Sequence, residues 1–143
     1  MAGENLSQED MEEAIAQLQY LQSVYSQRFD ILNEQIGAYN LARDASLRGI
    51  EFLRRSKSLE GSGILVSTEG GTYVEASLGK IDRVMTYVGA GYLVEKSAEQ
   101  AKEYLEKALK NSDVAISRLT GELQKVEKEL FDISYKMTAL RQQ

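Results

Sequence analysis

The side chains that most often carry out enzymatic chemistry are missing from this chain. Its 143 residues include no histidine and no cysteine, so it lacks the most frequent general base, the most frequent metal ligand and any thiolate nucleophile. The acids that remain are spread along positions that face solvent on the predicted helices, whereas an active site needs polar groups that converge. The sequence therefore predicts a protein that is not an enzyme, with no catalytic, cofactor-binding or metal-binding residues.

The glycines at positions 89 and 91 come nearest to a phosphate-binding motif. The sequence Gly89-Ala90-Gly91 lacks the third spaced glycine of a dinucleotide site, and the chain has no P-loop pattern. A tight turn is the simpler interpretation, because glycine adopts positive φ at little cost. The net charge of −5 also argues against nucleic acid as a partner, since a phosphate-binding surface needs a basic stripe.

The N-terminus carries no sign of a targeting signal. Residues 1–5 have neither a basic start nor an apolar stretch, and no apolar run approaches the roughly 20 residues of a membrane span. Together with the lack of cysteine, this predicts a soluble, cytoplasmic protein without membrane contact.

Two apolar seams, one toward each end of the chain, are its strongest structural signal. Each repeats in alternating steps of four and three residues, from Met11 to Leu53 and from Ala98 to Leu140, and ten and eleven of the thirteen positions in the two seams are apolar. A repeat of 3.5 residues is typical of supercoiled helices. Because the seams are equally long, we predict a long antiparallel two-helix coiled coil.

The ends of both helices are also encoded. Ser7 is placed to cap the first helix, and basic residues fall in its last turn, where they complement the helix dipole. Ser97 and Gln100 match a capping box that starts the second helix. We therefore predict helices over residues 8–58 and 97–143, in a single domain that spans residues 1–143.

The segment between the helices, residues 61–96, changes to a two-residue period. It holds seven of the eleven glycines, with β-branched and aromatic residues between them. These features predict an α+β fold with two β-hairpins. The predicted strands are 64–68 and 72–78 around the turn Glu69-Gly70-Gly71, and 84–88 and 92–96 around the turn at 89–91.

The predicted hairpins need partners. Isolated hairpins are marginal in water, and open strand edges aggregate unless they are paired. We therefore predict that these strands drive oligomerisation by pairing with strands of other subunits. The apolar side chains that would contact those subunits are Ile64, Leu65, Val66, Tyr73, Val74, Val84, Val88, Tyr92 and Val94.

The residues around these hairpins resemble the alpha-class subunits of prefoldin, a co-chaperone. The resemblance lies in Gly63-Ile64-Leu65-Val66, in Gly70-Gly71-Thr72-Tyr73-Val74, and in the run from Val88 to Ala101. Two hairpins rather than one distinguish the alpha class from the beta class. Family members commonly carry proline after the Ile-Leu-Val run, where this chain has Ser67, and either residue suits an edge strand.

This resemblance implies a hetero-hexamer of two alpha-class and four beta-class subunits. The hairpins would build a double β-barrel platform that carries six coiled-coil arms. The arm tips would hold unfolded polypeptide without nucleotide and hand it to a group II chaperonin. An open alternative is a prefoldin-like structural scaffold or filament-forming protein that delivers nothing to a chaperonin.

The arm tips are where the resemblance implies polypeptide binding. Because the hairpins join the two helices, facing residues have numbers that sum to about 151, which places Met11 opposite Leu140 at the free tip. Exposed apolar side chains beside flexible methionines form an adaptable surface. Alternatively, the seam residues only close the coiled coil, and the others are isolated exposed side chains. The candidates are the seam residues Met11, Ile15, Leu18, Met137 and Leu140, and the off-seam residues Leu6, Tyr20, Leu21, Val24, Phe131 and Tyr135.

Polar residues interrupt both seams at one level. Arg43 and Ser46 fall near Leu105, Leu109 and Ser112 in the predicted pairing. A polar layer of this kind usually fixes the register of a coiled coil. A flexible point is the alternative, because each glycine within a helix is about 1 kcal/mol worse than alanine. We expect Arg43 to fix the register and Gly121 to provide flexibility. The glycines within the predicted helices are Gly37, Gly49 and Gly121.

Overall fold

The computed structural model describes residues 7–142. The predicted α+β fold class, two long helices with two antiparallel hairpins between them, is confirmed. The predicted tip residue Leu6 and the C-terminal residue Gln143 lie outside the described residues. In chain order the elements are helix α1 (Gln8–Leu59), strands β1 (Gly63–Ser67), β2 (Tyr73–Ser77), β3 (Arg83–Gly89) and β4 (Tyr92–Ser97), and helix α2 (Ala98–Arg141).

Side-chain caps begin both helices as the sequence predicts. The amide of Asp10 donates to the hydroxyl oxygen of Ser7 at 3.1 Å. At the start of α2, the amide of Gln100 donates to the hydroxyl oxygen of Ser97, and the amide of Ser97 donates to the side-chain oxygen of Gln100, both at 3.1 Å. Each cap satisfies amides that have no carbonyl partner within the helix, so the helix starts are fixed locally.

The chain forms two compact units, which are described separately. The terminal unit contains the described residues up to Asn40 and from Asp113 onward, and the hairpin unit is Leu41–Ser112. The core of the terminal unit consists of the seam residues Leu32, Leu119 and Val126. Burial of each such side chain contributes about 1.5–3 kcal/mol. The partly buried residues packed against this core are Tyr25, Phe29, Ile36, Leu123 and Leu130.

The first hairpin of the hairpin unit pairs β1 with β2 in antiparallel register. Ile64 lies opposite Ala76 and Val66 lies opposite Val74, so these apolar pairs share one face of the ribbon. In the turn, Glu69, Gly70 and Gly71 all have positive φ, at 72°, 62° and 77°. Two of these three positions are glycine, which carries no steric penalty there, and this explains why the sequence signal marked the turn correctly.

The second hairpin lies where it was predicted, but β3 and β4 extend beyond the predicted strands 84–88 and 92–96. Its register runs from Arg83 opposite Ser97 to Tyr87 opposite Leu93, and Gly89 lies opposite Tyr92. A β-bulge therefore falls between Tyr87 and Gly89, and the extra residue there bends the strand and increases its twist. The turn itself is Ala90-Gly91, one residue shorter than predicted because Gly89 ends β3, and all three residues adopt positive φ.

Hydrogen bonds tie both hairpins to the ends of the helices within the hairpin unit. The backbone amide of Gly61 donates to the carbonyl of Leu78 at 2.6 Å, and the amide of Ile81 donates to the carboxylate of Glu60 at 3.0 Å. The hydroxyl of Tyr104 donates to the carbonyl of Tyr87 at 3.4 Å. The first two bonds satisfy polar groups in the loops that follow α1 and β2, and the third joins the second hairpin to α2.

The polar level of the seams lies partly inside the coiled coil. Ser46 and Ser112 are both buried, and Arg43 is half-buried. The register role of Arg43 remains a prediction.

Gly49 has a packing role that the sequence analysis did not identify. A Cβ atom placed on it would lie 2.8 Å from the Cδ1 methyl of Leu105, which is closer than carbon atoms approach without strain. Alanine at this position would therefore require the end of the Leu105 side chain to move, whereas glycine fits without that adjustment. A Cβ on Gly37 or Gly121 would have no described atom within 4 Å.

This difference predicts that alanine stabilises the protein at Gly37 but not at Gly49. Gly37→Ala should raise the free energy of unfolding by about 0.5–1 kcal/mol, because alanine loses less backbone entropy in a helix. Gly49→Ala should bring no such gain, since Leu105 must move to accommodate the new methyl group. Thermal unfolding followed by circular dichroism compares both variants with the parent, and Gly121→Ala serves as a second open-site control. An equal rise in melting temperature for all three would show that Gly49 is not a packing site.

Candidate protein-binding surfaces

Two features are absent from the part of the chain that the structure describes, a cluster of metal-binding acids and a membrane-spanning helix. Among the described residues, no group of three or more Asp or Glu side chains lies close enough to hold a metal ion. No helix of the described chain is long and apolar enough to cross a membrane. The features that can bind another molecule are instead exposed apolar side chains, and these occur in both units.

The hairpin surface, defined as the exposed apolar side chains of β1 to β4, is the larger of these features. Eight of the nine predicted contact residues are exposed, from Ile64 in β1 to Val94 in β4, and Val84 is partly buried. Each hairpin is a two-stranded sheet, so both of its edges carry backbone groups that have no strand partner within the chain. Apolar faces and open edges together are what a strand-pairing interface requires. The role of these residues in oligomerisation remains a prediction.

Sequence reasoning missed three members of this surface, namely Met85, Tyr87 and Leu93, which are all highly exposed. Met85 and Tyr87 alternate along β3 with the named residue Val84, so the period-2 pattern contained the signal. The sequence analysis named one face of the second hairpin, but the ribbon exposes side chains on both faces. The side chain of Tyr87 is held in place at its tip, because the ring hydroxyl accepts a hydrogen bond from the amide of Gly91 at 3.3 Å.

An apolar groove of about 410 Å³ lies between the second hairpin and the helices of the hairpin unit. Phe52 on α1 lines it and is half-exposed. No position in this groove was predicted as a site except Val84. It is continuous with the hairpin surface, so it extends the apolar area that a neighbouring subunit could cover. Other lining residues are Leu53, Met85, Tyr87 and Leu105.

The outer apolar face of the terminal unit has two parts, one on α1 (Tyr20, Leu21 and Val24) and one on α2 (Phe131 and Tyr135). Tyr20, Phe131 and Tyr135 are the most exposed of these, at 70%, 70% and 71%. Two shallow grooves accompany them, one of about 520 Å³ beside Tyr20 and Leu21 and one of about 170 Å³ beside Phe131 and Tyr135. These side chains lie off the seam, so the facing helix does not cover them.

The predicted seam members of the tip are placed differently. Met11, Ile15, Leu18 and Leu140 are half-buried, whereas Met137 is buried, with 6% of its surface exposed. Burial of Met137 agrees with the alternative that seam residues close the coiled coil, because a seam position turns the side chain toward the facing helix. The role of the tip residues in binding polypeptide remains a prediction.

Comparison with known proteins places these surfaces in a family context. The family model described as Prefoldin subunit matches residues 16–143. A prefoldin subunit alpha of Methanocorpusculum labreanum is 29% identical over 97% of this chain and 95% of its own length, and one of Nitrosopumilus maritimus is 29% identical over 96% and 94%. Human prefoldin subunit 5 is 28% identical over 81% of this chain and 71% of its own length.

A solved structure shares the fold. The filamentous PFD of Methanocaldococcus jannaschii, determined by cryo-electron microscopy, superposes with a TM-score of 0.66 at 23% sequence identity, covering 80% of this chain and 95% of that one. At this level of identity the similarity concerns the fold, with its paired helices and hairpins.

The hairpin surface predicts which substitutions will disrupt assembly. Leu65→Asp combined with Tyr92→Asp should weaken association by about 100-fold or more, because two apolar side chains that each contribute about 1.5–3 kcal/mol on burial become charged. Both residues are exposed in the single chain, so its fold should persist. Light scattering after size-exclusion chromatography gives the mass, measured alone and after mixing with a candidate partner subunit.

A matched control separates the hairpins from exposed apolar residues in general. Leu41→Asp combined with Val114→Asp changes two equally exposed side chains on the helices and should leave the assembled mass unchanged. If instead the helix variant dissociates and the hairpin variant does not, the helices carry association.

Proposed function

The chain belongs to the prefoldin family, and from this premise we propose that it is a co-chaperone subunit that works without ATP. It assembles through its hairpin surface and captures non-native polypeptides on the outer apolar face of its terminal unit. The observation that carries this proposal is the exposure of large apolar side chains in both units of one small chain. Soluble proteins rarely leave so many apolar side chains uncovered unless a partner covers them.

The hairpin surface is assigned to permanent partners. Its backbone edges can form β-ladders with other subunits, and such pairing satisfies groups that are costly to leave unpaired once apolar side chains have excluded water. The partners we propose are beta-class prefoldin subunits, four of which would join two copies of this chain in a hexamer. The prefoldin subunit alpha relatives, which match over most of their length, support this assignment.

The outer apolar face of the terminal unit is assigned to transient clients. Tyr20, Phe131 and Tyr135 present rings on the outside of two helices, and none of them belongs to the seam. Scattered rings without a deep pocket favour binding many sequences over recognising one. The half-buried Met11 at the start of α1 adds an unbranched, adaptable side chain.

Holding of this kind requires no chemical step. Apolar contacts contribute about 1.5–3 kcal/mol for each fully buried side chain, so a client that covers a few rings is bound reversibly and leaves without nucleotide hydrolysis. We propose that released clients pass to a group II chaperonin in the cytoplasm. A scaffold or filament function remains the competing hypothesis, and the mass of the assembly distinguishes them, since a scaffold would polymerise without limit and a hexamer has one size.

Substitution of the outer rings tests the capture step. Tyr20→Ser combined with Phe131→Ser should reduce the suppression of client aggregation by at least about half at equal concentration, because the apolar area offered to the client is removed. The measurement is light scattering of a chemically denatured enzyme diluted into buffer with the assembled protein.

The control for this experiment is Leu41→Ser combined with Val114→Ser, which removes two apolar side chains that are 73% and 63% exposed elsewhere on the helices. This variant should suppress aggregation as well as the parent protein. Full suppression by the Tyr20 and Phe131 variant, at unchanged assembly mass, would contradict client capture at this face.

A further inference from the structure

The acidic excess of the chain is concentrated on the first half of α1. Residues 8–34 contain six carboxylates and one guanidinium, that of Arg28. The rest of the described chain is nearly neutral, because α2 from residue 113 onward has five acids and five bases and the hairpin unit has ten acids and eleven bases. The six acids are Glu9, Asp10, Glu12, Glu13, Asp30 and Glu34.

These acids surround one part of the outer apolar face. Glu13, Tyr20 and Glu34 are separated by whole multiples of seven residues, which places them on the same face of a supercoiled helix, and all three are exposed. Glu13 lines the same groove as Tyr20 and Leu21. Ile31, which is 55% exposed, lies between Asp30 and Glu34 along the helix.

The single base of this segment does not cancel the acids. Arg28 forms an ion pair with Glu122 of α2, with 3.8 Å between Nη2 and Oε2. The second part of the outer apolar face, around Phe131 and Tyr135, lies on α2 and has a lysine on either side in sequence, at positions 128 and 136. The apolar face of α1 is therefore acidic, whereas that of α2 is balanced.

From this asymmetry we infer that the α1 face selects clients whose exposed apolar segments also carry lysine or arginine. The inference rests on the proposed capture function and names its client class. Apolar contacts provide the attraction for any unfolded chain, and the carboxylates add attraction for a cationic segment and repulsion for an anionic one. Exposed charges interact over about 10 Å at 0.1 M salt. This distance exceeds the spacing between neighbouring turns of the helix, so carboxylates on neighbouring turns of α1 can act on a client bound to this face.

The expected size of the preference is modest. Each exposed ion pair is weak. A cationic client that meets two or three carboxylates should therefore bind about three- to tenfold more tightly than an anionic client at low ionic strength. The preference should shrink at high salt, because counterions screen exposed charges.

Three synthetic peptides provide the probe. They share the same leucine and phenylalanine positions and differ only in their remaining positions, which are lysine, glutamate or glutamine. Fluorescence anisotropy gives the dissociation constant of each labelled peptide for the full-length protein at about 50 mM and about 500 mM salt. The lysine peptide should bind about three- to tenfold more tightly than the glutamate peptide at low salt, and the ratio should approach one at high salt.

Charge-neutralising variants locate the preference. Glu13→Gln combined with Glu34→Gln should reduce the ratio between lysine and glutamate peptides by about twofold or more. Glu99→Gln combined with Glu103→Gln, a matched change of two exposed glutamates in the hairpin unit, should keep the ratio of the parent protein.

Several outcomes would overturn the inference, and they differ from failure of the capture function. Equal affinities for the lysine and glutamate peptides, or an equal loss of preference in both variants, would show that the α1 acids do not select clients. Capture itself would still stand if the glutamine peptide binds the parent protein and loses affinity when Tyr20 is replaced by serine. Absence of binding by all three peptides would reject both proposals.

Discussion

Each helix of a two-stranded coiled coil can bury only one narrow face against its partner, and the rest of this chain is organised around that limit. Leu32, Leu119 and Val126 form a real core in the terminal unit, yet none of the described residues has a large side chain that is completely buried. A globular chain of similar length buries about two thirds of the surface that it exposes when unfolded. Apolar residues off the seam therefore stay exposed unless another molecule covers them.

The hairpins are also incomplete within one chain, because part of their backbone hydrogen bonding is left unpaired. Each two-stranded ribbon satisfies half of its ladder internally and leaves the outward amides and carbonyls to solvent or to a partner. Because Leu65, Tyr73 and Tyr92 are also exposed, association would bury apolar area and complete the ladders in a single step. Stability of the hairpins is then linked to assembly, since a partner that binds only the folded form stabilises it by mass action.

Much of this fold is local, and local features were the predictable ones. The heptad seams, the serine caps and the glycines of both turns each depend on residues within a few positions of one another, so the pattern alone defined them. The β-bulge beside Val88 and the close approach at Gly49 depend on what lies opposite each residue. Periodicity identifies which positions face a partner, but it does not show how closely the partner approaches or which exposed residues it leaves uncovered.

The acidic residues of α1 bear on a problem that its exposed aromatic rings create, namely self-association. An apolar face that binds many unfolded chains can also bind a second copy of itself, and Tyr20 with Val24 and Ile31 would make such a contact along α1. If two copies met through this face, their acidic segments would lie against each other, and each segment has six carboxylates and one arginine. Like charges at close range oppose that association, whereas a client with basic residues meets no such barrier. If this face captures clients as proposed, the same carboxylates would keep it available and bias what it accepts.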